Sequence, residues 1–110
     1  MQSPEIREAV VASSDLTGFA RFAEKIALAD LFRFLDQYYE RIGGIVENAG
    51  GRVVKFMGDG NLLMFPGDRA DDAVLAMLEI VRTGNAWVAA RGASCRHEVK
   101  MHVGEVAFGP

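Results

Sequence analysis

Apolar residues fall along the chain in two rhythms, and the points where one gives way to the other mark out the elements. Residues 8–14, Glu-Ala-Val-Val-Ala-Ser-Ser, form a short apolar run of the kind a buried strand shows, ending at Asp15. The seven residues before it are polar, hold Pro4, and read as a lead-in. Phe19, Phe22, Ala23 and Ile26 then recur at spacings of three and four, directly after Asp15-Leu16-Thr17-Gly18. The chain therefore turns from strand to helix and leaves backbone amides free at the helix start. Leu31, Phe34, Leu35, Tyr38, Ile42, Ile45 and Val46 carry a second helix, capped by Asp30 and closed by Gly50-Gly51.

From about Arg52 to Phe65 two apolar runs flank Gly58-Asp59-Gly60, a hairpin in which Asp59-Gly60 supplies the positive φ angles of a primed turn. Pro66-Gly67 breaks the chain again. Ala70, Ala73, Val74, Met77, Val81 and Val88 predict a helix over residues 68–89, which Gly84 weakens by about 1 kcal/mol relative to Ala. Residues 91–94 connect it to a last strand over residues 97–108, alternating from Val99 to Val103, before Gly109-Pro110. The order is β, a broken helix, β, β, α, β. That is an α+β, ferredoxin-like (palm-like) arrangement: an antiparallel sheet with helices on one face, forming a single domain over residues 1–110.

Composition narrows the function without naming it. Of 110 residues half are apolar and a quarter charged, and the formal charge is -3, with Lys and Arg scattered. A nucleic-acid surface needs a concentrated basic patch, so none is expected. One cysteine, Cys95, and two distant histidines exclude an internal disulfide and a zinc-ligand spacing. A reducing cytoplasm fits, and no apolar run approaches the ~20 residues of a membrane span, so an anchor would have to lie outside this sequence.

The chemistry rests on two carboxylates. In a sheet of this order the first strand is central and neighbours the hairpin, which lets Asp15 stand beside Asp59 at the hairpin tip. Convergent carboxylates next to the free amides of a helix start suit Mg²⁺ on a polyphosphate, and so two-metal phosphoryl or nucleotidyl transfer. The same residues also read as two turn or cap aspartates placed for their backbone preferences, and spacing leaves both readings open.

At these residues the sequence resembles the class III adenylate/guanylate cyclase catalytic domain, in its N-terminal, metal-binding half. Ser14-Asp15-Leu16-Thr17-Gly18-Phe19 is similar to the family's first metal motif. Residues 50–60, Gly-Gly-Arg-Val-Val-Lys-Phe-Met-Gly-Asp-Gly, resemble its second, and His102-Val103-Gly104-Glu105-Val106 resembles a third segment, all in the family's order over residues 9–110. The resemblance implies that Asp15, Asp59 and the backbone carbonyl of Leu16 hold two divalent cations, Mg²⁺ or Mn²⁺. It implies that the amides of Thr17, Gly18 and Phe19 face the triphosphate, and that Lys55 reads the purine across a homodimer interface, Lys being the choice associated with adenine. The implied reaction converts ATP to cyclic AMP and pyrophosphate.

Family domains are longer, and their later half carries a second base-recognising residue and an Asn-x-x-x-Arg pair without counterparts before Gly109-Pro110. The ending therefore looks like a cut inside a longer family sequence. Glu98 and Lys100 stand where family members often have Arg and Gly, which bears on any phosphate contact from that strand. His102 is expected to serve strand packing, Cys95 to be an unpaired connector thiol, and Tyr38, Tyr39 and Trp87 to make core or dimer contacts. The rival from another class is a non-catalytic cyclase-like module that dimerises or senses a nucleotide. A cyclic-dinucleotide synthase ranks below both, since Gly58-Asp59-Gly60-Asn61 does not match its hairpin signature.

Overall fold

A computed structural model describes residues 5–109, so residues 1–4 of the expected lead-in and Pro110 lie outside the described residues. The elements run β1 (Glu5–Thr17), α1 (Phe19–Glu24), α2 (Leu28–Asn48), β2 (Arg52–Met57), β3 (Gly60–Pro66), a 3-10 turn (Gly67–Arg69), α3 (Ala70–Ala90) and β4 (Arg96–Phe108). The strands form one antiparallel sheet in the order β2-β3-β1-β4. This is the ferredoxin-like α+β arrangement expected from the order of elements.

Two expectations need correction at the start of the chain. Residues 5–7 are strand rather than lead-in, because Glu5, Ile6 and Arg7 pair with Phe108, Ala107 and Val106 of β4. Polar composition there reflects an exposed strand end. Asp30 does not cap α2; the N-cap is Ala27, in extended geometry, and Asp30 sits in the first turn, paired with Arg33 at 3.0 Å. A carboxylate in that turn still favours the helix through its dipole.

The core lies between the sheet and the two long helices. On β1 Val10, Ala12, Ser14 and Leu16 are buried, while Val11, Ser13, Asp15 and Thr17 alternate onto the open face. Phe34, Tyr38, Ile42 and Val46 form the buried stripe of α2 at a spacing of four, and Ala73, Ala76, Met77, Ile80, Gly84 and Val88 that of α3. Both long helices end alike. Gly50 takes φ 85° and Gly92 φ 75°. The amides of Gly50 and Gly51 bond back to Glu47 and Val46, and those of Gly92 and Ala93 to Ala89 and Val88, two Schellman endings. Gly67–Ala90 is long and apolar enough to cross a membrane by length and composition, yet its apolar residues include the stripe built into this core.

The hairpin forms where expected, with different turn chemistry. Met57 pairs with Gly60, so the two-residue loop is Gly58-Asp59. Gly58 takes φ 58° and no described non-glycine residue has positive φ, which is the sign pattern of a type II′ turn. The left-handed residue is thus Gly58, and Asp59 keeps an ordinary conformation.

Candidate active site

Asp15 lies on the open face near the end of β1 and is exposed. Asp59 reaches it from the hairpin tip: its Oδ2 accepts the backbone N–H of Leu16 at 2.9 Å. The two carboxylates therefore flank the same stretch of β1, held by a bond between the central strand and the turn. One layer below, Asn61 Oδ1 accepts the amide of Ser14 at 3.2 Å and its Nδ2 donates to Ser14 Oγ at 2.7 Å, fixing the register beside the site.

Asp59 is also held through its backbone. The Tyr38 hydroxyl donates to the Asp59 carbonyl at 3.0 Å, and the Tyr39 hydroxyl to the Gly58 carbonyl at 2.6 Å. Burial pushes the Tyr38 phenol well above its ordinary range. A hydrogen bond to Ser14 opposes that shift, and the Asp59 and Asp15 carboxylates add to it, so the hydroxyl stays protonated and a donor. Sequence periodicity registered Tyr38 as apolar, Tyr39 was expected only as a core or dimer contact, and neither hydroxyl had a role.

Thr17 ends β1, exposed and opposite Arg96. Gly18 is the N-cap of α1 at φ 91°, and its carbonyl accepts the Phe22 amide at 3.2 Å. The half-buried Phe19 ring packs against the core, 6.4 Å from both Phe22 and Phe34. The Leu16 side chain is buried. Lys55 stands on β2, two strands from Asp15, and its outward direction has a local cause. A bulge between Val53 and Lys55 adds Val54 to the strand, so Val53 and Phe56 both pack toward the core while Val54 and Lys55 are exposed.

Glu98 is directly opposite Asp15 in the β1–β4 ladder, with Arg96 and Lys100 on either side along the same face. Like charges directly opposed in a sheet are unfavourable. Ion pairs among the described residues join Arg7 to Glu5, Arg33 to Asp30 and Arg69 to Asp72, and Asp15, Asp59 and Glu98 enter none of them. No group of three His, Cys, Asp or Glu side chains is gathered among the described residues. The donor set is two carboxylates with one oxygen of Asp59 already committed to Leu16. Such a set fits Mg²⁺, which takes one or two carboxylates and completes its shell from phosphate and water.

A cleft of about 460 Å³ opens beside the α1 start, lined by Gly18, Arg21, Phe22, Lys25, Gly92 and Ser94. Another of the same size lies at the far end of β1, between Arg7, Arg52, Met64 and Phe108. The second is remote from the carboxylates.

An open antiparallel sheet with one carboxylate near the end of its central strand and another on a hairpin tip bonded to that strand is a palm-like arrangement. No family model matches the chain. The chain is 32% identical over 74 residues to the photoactivated adenylate cyclase subunit alpha of Euglena gracilis, covering 67% of this chain and 7% of that protein. The solved structure of the guanylyl cyclase Cya2 superposes with a TM-score of 0.82 at 26% identity, over 98% of this chain and 59% of that one. The catalytic core of a rhodopsin-guanylyl cyclase with converted specificity, in complex with ATPαS, superposes at 0.84 with 26% identity, over 99% and 62%. The chain belongs to the class III adenylate/guanylate cyclase catalytic domains and spans part of the length of each of these relatives.

Proposed function

We propose that the chain is the metal- and ATP-binding part of an adenylate cyclase catalytic domain that acts as a homodimer in the cytoplasm. The observation that carries this reading is the Asp59 to Leu16 bond, which brings a carboxylate that enters no ion pair among the described residues to the residue next to Asp15. Asp15, Asp59 and the Leu16 carbonyl would hold two divalent cations, Mg²⁺ or Mn²⁺, which supply charge neutralisation of the triphosphate and activation of a hydroxyl. The amides of Thr17, Gly18 and Phe19 face the triphosphate, and Lys55, turned outward by the bulge, reads adenine for the partner's site. The ribose 3′-oxygen forms a bond to the α-phosphorus, the bond to the β-phosphate oxygen breaks, pyrophosphate leaves, and the hydroxyl proton passes to solvent.

The adenylate cyclase relative and Lys55 favour ATP over GTP. Glu98, facing Asp15, favours a second reading, a cyclase-like module that dimerises or senses nucleotide without turnover, because a third carboxylate on this face repels an incoming triphosphate. Calorimetric titration with Mn²⁺ and a non-hydrolysable ATP analogue tests the first reading. Binding that is lost in Asp15→Ala and in Asp59→Ala supports it; no binding, or binding indifferent to both substitutions, defeats it. Cyclic AMP production from Mn²⁺ and ATP by the natural protein that contains this chain separates the two readings.

A further inference from the structure

We propose that Tyr38 and Tyr39 are positioning residues for the Asp59 carboxylate. The inference rests on the cyclase reading and names what holds its second metal-binding group in place. Gly58 and Asp59 form the loop between the paired residues Met57 and Gly60, so the ladder itself fixes neither. Their two consecutive carbonyls instead accept the hydroxyls of two consecutive tyrosines of α2, at 2.6 and 3.0 Å. With Asp59 Oδ2 on the Leu16 amide at 2.9 Å, the residue is held by its backbone from the helix layer and by its side chain from the central strand.

Both donors are themselves immobilised. The Tyr39 ring stacks on Phe56 of β2 with centroids 4.2 Å apart. Tyr38 is fully buried and lies 6.3 Å from Phe34, 6.3 Å from Trp87 and 5.8 Å from His97, one ring from each of three elements. A turn needs no such bracing to close a hairpin, because a glycine at positive φ does that alone. Bracing two carbonyls beside one acidic residue fixes where its remaining oxygen points, the requirement of a metal ligand that must meet a second carboxylate. Neither hydroxyl contacts the cation; each acts through Asp59.

The test uses the whole chain, wild type and as Tyr38→Phe, Tyr39→Phe and the double variant, which keep the rings and remove only the hydroxyls. Mn²⁺ alone is titrated by electron paramagnetic resonance, and exchange of the Leu16 amide is followed by NMR. The double variant is expected to bind Mn²⁺ about tenfold more weakly, as outer-shell changes commonly do. Its Leu16 amide exchanges faster, while the amides of Val10 and Leu63 keep their protection. If Tyr38→Phe unfolds, Tyr39→Phe, whose hydroxyl lies at the surface, gives the same comparison. Variants that match a Mn²⁺-binding wild type in affinity overturn the inference alone. A wild type that takes up no Mn²⁺ overturns the cyclase reading and this inference with it.

Discussion

Gly84 lies on the buried stripe of α3. In a helix interior glycine is about 1 kcal/mol worse than alanine, yet α3 runs unbroken through it. A Cβ at Gly84 would lie 2.5 Å from Cε1 of His97, 2.8 Å from Nε2 and 2.9 Å from Nδ1. That ring has little room to move, because Asn85 Oδ1 accepts the His97 amide at 2.9 Å and lies 3.2 Å from its Nδ1. Overpacking of this kind costs about 1–3 kcal/mol, which outweighs the propensity gain. Gly84→Ala is therefore expected to lower unfolding stability by about 1 kcal/mol in a urea titration. A more stable variant would show that the imidazole moves aside.

For the elements the informative case is the hairpin between β2 and β3. Its turn depends on Gly58 at φ 58°, where an added Cβ meets nothing within 4 Å, so the backbone angle is the sole obstacle to substitution. Gly58→Ala should cost about 1–2 kcal/mol, and Gly58→Asn about as much, since the first position of a type II′ turn lies in a glycine region outside the αL well that Asn tolerates. A clearly smaller loss for Asn on thermal unfolding would show that the loop adopts a type I′ turn instead. The hairpin itself was legible in two apolar runs around Gly-Asp-Gly, and so was the approach of its tip to the end of β1, since strand order alone brings the tip to the central strand. The bulge at Val54 was not legible, because an inserted residue leaves the apolar pattern looking like an ordinary strand. Nor were the tyrosine bonds: spacing along α2 reports the buried ring of Tyr38 and says nothing about where its hydroxyl ends.

At the scale of the whole molecule, stability is tied to pH through His97, which joins β4 to α3 and to the ring cluster around Tyr38. Burial pulls the imidazole down to about 4, and the Arg41 guanidinium pushes the same way. The groups around the ring are Asn85, the Gly84 backbone, Tyr38 and Arg41, and none of these supplies a negative charge to an imidazolium. The unfolded chain takes up a proton near the ordinary value of about 6.5, while the folded chain refuses it until about 4. Between those values the unfolded state holds more protons, so stability rises with pH and is lost on acidification. Integrated from pH 7 to pH 5, this one group accounts for about 2 kcal/mol. Urea midpoints measured across that interval should fall with acidification in the wild type and stay nearly level in His97→Gln, which cannot charge. A wild type as stable at pH 5 as at pH 7 would mean that the buried imidazole finds a counter-charge, or enough water, when it is protonated, and that the packing of α3 on β4 is looser than the Gly84 contact implies.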